Sequence, residues 1–172
     1  MKALIVTNGG IGDQIQYSSL IKAIKKKYSD SEITVFCHEQ LVPFYKMNKL
    51  VDNAISSISS DMKFDLGYNF AIRKDLCLIF TETPVEKRYG YIYDSNRLLP
   101  TNKEAEKLMI CALDHKRNST FTLNEWFCKI AELDVEPTEV YFEKALKDVD
   151  IVIQYKTSKE FKNWPLEYIK KL

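Results

Sequence analysis

No two cysteines of this 172-residue chain stand close enough for a metal knuckle or a redox motif. Cys37, Cys77, Cys111 and Cys128 are widely spaced without a C-x-x-C pair, and the two histidines, His38 and His115, fall at no metal-ligand spacing with them. No metal is expected, and the four thiols are expected to be buried and reduced, as in a cytoplasmic protein. Charge of one sign is also missing: 25 basic residues nearly balance 24 acidic ones and leave a formal +1. That balance is no footprint of a nucleic-acid binder, so no nucleic-acid partner is expected. Long apolar runs are absent as well. The first, Ala3-Leu4-Ile5-Val6, ends at Thr7-Asn8-Gly9, unlike a signal peptide, and Leu76-Cys77-Leu78-Ile79-Phe80 is too short to span a bilayer. What is present is 45% hydrophobic residues, enough for the core of one ordinary domain.

The most informative stretch is Asn8-Gly9-Gly10-Ile11-Gly12-Asp13, which joins the apolar run at residues 3–6 to a helical pattern. Glycines tolerate positive φ and let a ligand approach the backbone, and the first turn of a helix presents free N–H groups with a partial positive charge. Asp13 then stands at a crest between strand and helix. Its plainest reading is an N-cap, with Gln16 three residues on completing a capping box. The glycines alone do not make a dinucleotide fingerprint, because Ile15 stands where a third glycine of G-x-G-x-x-G would be needed.

Along the chain, residues 2–7 read as a buried strand. Tyr17, Leu20, Ile21, Ile24 and Tyr28 then recur at helical spacing, leaving Lys22, Lys25, Lys26 and Lys27 mostly on the remaining, solubilising face. Residues 32–37 read as the next strand, which after one intervening helix implies a right-handed crossover and a parallel sheet. A short helix over 40–47, strands over 53–58 and 64–70, a helix over 72–80 and a strand over 88–93 continue the alternation. Helices over 103–113 and 123–133 close it, the second with Leu123, Trp126, Phe127, Ile130 and Ala131 on one core-facing side. The class is doubly wound α/β. Residues 134–149, with Pro137 and mixed charges, read as a connector. A fresh strand, Ile151-Val152-Ile153, then leads through a polar, basic loop to Pro165 at a first helical position.

Several of these pieces stand in a familiar register. Gly10-Ile11-Gly12-Asp13, the run from Ile21 to Tyr28, Glu32-Ile33-Thr34-Val35 and Val51-Asp52 resemble the opening of glycosyltransferase family 9, which contains the lipopolysaccharide heptosyltransferases. Phe64-Asp65-Leu66 resembles that family's Asp-Leu strand, Arg88-Tyr89-Gly90-Tyr91 its Arg-x-Gly-Tyr, and Lys162-Asn163-Trp164-Pro165 its Lys-x-Trp-Pro motif.

The resemblance implies the N-terminal half of a GT-B enzyme. Residues 1–133 would be a Rossmann-like parallel sheet with helices on both faces, serving the acceptor side, and residues 150–172 the cut-off start of a donor-binding domain. It implies inverting transfer of a heptose or related sugar from an ADP-sugar to a hydroxyl of a lipopolysaccharide-type saccharide or glycolipid, with no cofactor. Asp13 would be the general base, with Gly10, Gly12 and Gln14 beside the substrate. Thr157, Ser158 and Lys162 would meet the donor's phosphates, where hydroxyls, N–H groups and an ammonium suit a diphosphate. The family's acidic nucleotide-binding residue and its Asp-(Ser/Thr)-Gly-x-x-His motif have no counterpart in this sequence.

Arg73 and Lys74 follow the fourth strand near the ligand-binding edge of a parallel sheet, where they would meet an anionic acceptor or simply open a solvated helix. The lysines of the first helix would also suit a peripheral membrane contact near a lipid-linked acceptor. Two other functions stay open. One is a non-catalytic saccharide- or nucleotide-binding domain that associates with a partner through its exposed second-domain stub. The other is a nucleotide-sugar epimerase of related fold.

Overall fold

The computed structural model describes residues 1–113, 119 and 121–138. The expected connector beyond Thr138, the second-domain strand and helix, and Thr157, Ser158 and Lys162 lie outside them.

Six strands form one sheet in the order β3-β2-β1-β4-β5-β6. They are β1 (Lys2–Val6), β2 (Glu32–Phe36), β3 (Asn53–Ile55), β4 (Phe64–Asn69), β5 (Val85–Asp94) and β6 (Arg97–Pro100). Five are parallel to their neighbours, and β6 alone runs antiparallel to β5. Side chains alternate between the faces of a strand, so an unbroken apolar run belongs where both faces are covered. Ala3 and Ile5 of β1 accordingly join one core with Tyr17, Leu20, Ile21 and Ile24, while Leu4 and Val6 join a second with Phe64, Leu76 and Phe80.

The helix α1 (Ile11–Lys27), a 3₁₀ turn with α2 (Val42–Lys46), α4 (Lys103–Leu113) and α5 (Leu123–Ile130) contribute to the first core, and α3 (Lys74–Glu82) covers the second. This is an α/β, Rossmann-like arrangement with helices on both faces. Tyr17, Phe70 and Phe127 bind α1, the end of β4 and α5 together, the two phenylalanine rings stacked with centroids 4.3 Å apart.

Several boundaries differ from the sequence reading. The third strand is three residues long rather than six, and the helix expected over 72–80 starts at Lys74. The β6 strand was not anticipated. It returns through Ser95 and Asn96, both at positive φ (47° and 63°), the two-residue geometry whose twist suits a hairpin. Leu123, expected to face the core, is exposed at the start of α5, whereas Trp126 and Phe127 are buried as expected. Cys37, Cys77 and Cys128 are buried and free, but Cys111 is only half-buried.

The first part of the expected connector is held against α1. Just past the end of α5 and its cap Ala131, Glu132 adopts the left-handed region (φ 57°). Lys26 Nζ then meets Glu136 Oε1 at 2.6 Å, the Ser19 hydroxyl donates to the Glu136 carbonyl, and Lys27 donates to the Glu132 carbonyl at 3.1 Å. Lys25 is similarly engaged, with Asp52 at 2.8 Å. Lys26 and Lys27 remain exposed, as expected, while all three lysines also tie α1 to other segments of the chain. Among the described residues no helix is long and apolar enough to cross a membrane.

Candidate functional site

The chain order reverses direction across the sheet between β1 and β4, since β2 and β3 lie on one side of β1 and β4 and β5 on the other. Loops leaving adjacent strands then part to opposite faces and open a crevice at the C-terminal ends, the usual ligand side of such sheets. The glycine loop stands at this point. Gly9 has φ +91°, and a Cβ there would sit 2.1 Å from Asp13 Oδ2, so both the backbone and the carboxylate demand glycine.

Gly10, rather than Asp13, is the N-cap of α1. Asp13 occupies the third helical position, and its Oδ2 accepts the Gly10 N–H at 2.8 Å. This is the reciprocal half of a capping box, whose other half glycine has no side chain to supply, and Gln16 takes no part in it. The Asp13 side chain is exposed, lying over Gly9. At Gly10 and Gly12 a Cβ would meet nothing within 4 Å. Packing does not require these two glycines, and Gly12 stands in a helix, where glycine is less favourable than alanine by about 1 kcal/mol.

Gln14, expected beside the substrate, is turned inward and is 1% exposed. Its Nε2 reaches the carbonyls of Asn8, Gly9 and Gly10 at 2.9, 3.2 and 3.3 Å, so two protons are shared among three acceptors. Its Oε1 accepts the hydroxyl of the fully buried Tyr45 at 2.8 Å. Both ends of the amide are used. Burial pushes the Tyr45 phenol well above its ordinary range and keeps it a neutral donor. Gln14 is thus a brace under the loop rather than a surface ligand.

A cleft of about 590 Å³ opens beside that loop. Thr7, Asn8 and Gly9 form one wall, and Cys37, His38, Glu39 and Ser56 follow from the ends of β2 and β3. The start of α3 contributes Arg73 and Asp75, over a floor that includes Phe36, Leu76 and Ile79. Arg73 is exposed and forks onto Asp75, Nε to Oδ1 at 3.1 Å and Nη2 to Oδ2 at 2.5 Å. The hydrogen bond from Arg73 holds the Asp75 carboxyl below its ordinary value, against the opposing effect of desolvation. Lys74 is not part of the cleft lining. Its ammonium lies 5.0 Å from the centre of the Tyr93 ring on β5. The thiol of Cys37 is raised by burial to about 11, which makes it a poor nucleophile.

No protein-family model, curated protein or solved structure matches this chain.

Of the sequence-predicted residues, the structure brings Arg73 into the cleft, sets Asp13 against its Gly9 wall and leaves Gly10 and Gly12 on open surface. It takes Gln14 inside and Lys74 elsewhere. The reading missed His38 and Glu39. His38 Nδ1 accepts the Gln40 N–H at 3.3 Å, so in the neutral ring the proton resides on Nε2. Glu39 is exposed and makes no ion pair among the described residues. The signal was available: both polar residues directly follow the apolar strand that ends beside the glycine loop.

The stretch resembling Arg-x-Gly-Tyr carries structure in this fold. The Arg88 guanidinium donates to the Val85, Thr83 and Thr81 carbonyls at 2.9, 2.7 and 3.2 Å, satisfying the end of α3. At Gly90, where φ is +104°, a Cβ would stand 1.9 Å from the Asn69 carbonyl oxygen. The Tyr91 hydroxyl donates to the Ala105 carbonyl at 3.0 Å.

Proposed function

We propose that this chain provides the acceptor side of an inverting glycosyltransferase of GT-B architecture, with Asp13 as the general base. The observation that carries the reading is the exposed Asp13 carboxylate, held by the Gly10 N–H and lying on the glycine that walls the cleft. A saccharide seated there presents a hydroxyl across Gly9 to a carboxylate already oriented. The clearance at Gly10 and Gly12 supports the same reading, because two glycines not required for packing leave room for a bulky acceptor.

In the proposed step the acceptor oxygen attacks the anomeric carbon from the face opposite the nucleotide. Its proton passes to Asp13 late, as the attacking oxygen becomes acidic, and the bond to the diphosphate breaks with inversion. By family resemblance the donor is an ADP-activated heptose or related sugar and the acceptor a lipopolysaccharide-type saccharide. Thr157, Ser158 and Lys162 would attend the departing diphosphate.

The test supplies the donor-binding half in trans and measures transfer from an ADP-sugar. Asp13→Asn is expected to reduce the rate by about 10²–10⁴-fold, the usual scale of general-base catalysis, with an unchanged circular dichroism spectrum. Transfer at the wild-type rate by the variant, or no transfer by a correctly folded pair, would defeat the proposal. The hydrogen bond from Gly10 also favours a second reading, a purely binding domain in which Asp13 is a cap. Ligand binding that survives Asp13→Ala, with no transfer by the pair, would select it.

A further inference from the structure

Resting on the reading of this cleft as a substrate site, we infer that it holds a ring bearing a vicinal diol, with Glu39 receiving the two hydroxyls. The hydrogen-bonding inventory points this way. Arg73 is taken up bidentately by Asp75, the Asn8, Gly9 and Gly10 carbonyls by Gln14, and the Gly10 N–H by Asp13. At the lining the Glu39 carboxylate is left with no cationic partner among the described residues.

A carboxylate so placed favours neutral hydroxyl donors over an anion. The N-terminus of α1, which in a dinucleotide fold would take the pyrophosphate, already carries the chain's own carboxylate. A carboxylate accepts two adjacent O–H groups at once, one on each oxygen. In this sheet order an acidic residue at the end of β2 is also where a ribose diol is met in Rossmann-like folds. The floor of Phe36, Leu76 and Ile79 supplies an apolar surface for the face of a sugar ring or of a base attached to it. His38, with Nδ1 engaged, offers Nε2–H as a further donor in its neutral form. The volume lies within the ordinary range for a small-molecule site.

The diol has two sources, a nucleoside or a glycoside, and one experiment separates them. The ¹⁵N-labelled full chain is titrated with a ribonucleoside and its deoxyribo counterpart, and with a methyl mannoside and its analogue lacking one hydroxyl of the diol. The expected result is movement of the Gly9, Glu39 and Ser56 amide signals with at least one diol-bearing compound, about tenfold weaker binding of its deoxy partner, and a similar loss in Glu39→Ala. A response to the ribonucleoside alone assigns a nucleoside, and a response to the mannoside alone assigns a saccharide. Three results overturn the inference: no compound moves those signals, the deoxy partners bind equally well, or Glu39→Ala binds as wild type while its other signals show an intact fold. Diol binding without transfer by the reconstituted pair removes the transferase reading and leaves this one standing. Transfer undiminished by Glu39→Ala does the reverse.

Discussion

At the edge where the strands begin, three carboxylates are paired with lysines: Asp52 with Lys25, Glu132 with Lys87 and Glu136 with Lys26. At the edge where they end, Asp13 and Glu39 stand exposed with no cationic partner among the described residues, and Arg73 and Asp75 pair at the surface. Two of these pairs, Lys25–Asp52 and Lys26–Glu136, shield one partner from water and tie distant segments together, whereas Lys87–Glu132 is exposed. The opposite edge leaves the carboxylates of Asp13 and Glu39 without a cationic partner among the described residues, beside a cleft on a rigid scaffold.

The largest expected effect would qualify this contrast. Gln14→Leu removes the donor for three loop carbonyls and the acceptor for the Tyr45 hydroxyl, all near a buried network, and should destabilise the protein by about 2–4 kcal/mol in urea unfolding. A loss below about 1 kcal/mol would mean that the open edge is not braced from beneath as described. At the opposite edge, Asp52→Ala deletes the acceptor for the Lys25 ammonium and the Ile33 N–H, 2.8 and 2.7 Å away. The expected cost is about 1–2 kcal/mol, with ligand binding at the cleft unchanged.

Acid should attack the strand-beginning edge in a smaller and graded way. Burial opposes the charge on Asp52, but Lys25 and the Ile33 N–H outweigh it and hold its carboxyl below the ordinary value. Glu132 is lowered chiefly by Lys87 and next by Tyr89. A carboxylate lowered in the folded state stabilises above its unfolded pKa, and that contribution is lost as pH falls through the folded value. Thermal unfolding should therefore show a decline beginning near pH 4, the ordinary carboxylate range, and steepening below it. Asp52→Asn with Glu132→Gln should be less stable than wild type at neutral pH and should flatten that decline. An unchanged profile would show that these pairs are not held in solution.

The sequence made the βα alternation legible because strands buried on both faces read as short apolar runs, as at residues 3–6 and 33–37. It located the glycine crest for an equally direct reason, the conformation Gly9 must adopt. It did not reveal that Gln14 points inward, since an amide carries no sign of the carbonyls it will meet. Nor did it separate Arg73 from Lys74, because Arg73 is the extended N-cap and Lys74 the first helical residue, and this change of backbone sends one to the cleft and the other to Tyr93. The hairpin strand β6 has its sequence signal in Ser95 and Asn96, turn-forming residues that take positive φ here. The inward placement of Glu136, 8% exposed in a segment of mixed charge, depends on Ser19 and Lys26 more than a hundred residues away and has no local signature.

The smallest stability effect belongs to the pair that sits at the cleft. Arg73 and Asp75 are each more than half exposed, with side-chain values of 59% and 56%, so water screens their attraction despite the two-point geometry. Asp75→Ala should change unfolding stability by less than about 0.5 kcal/mol. Its consequence for binding should be out of proportion to that, because the guanidinium is released into the cleft with no competing carboxylate on its fork. A sugar phosphate that binds the wild-type protein poorly should then bind the variant more tightly, with a steeper dependence on salt, while a neutral glycoside changes little. If the variant gains nothing for the phosphorylated sugar, Arg73 is ornamental at this edge, and the charge asymmetry between the two ends of the sheet rests on Asp13 and Glu39 alone.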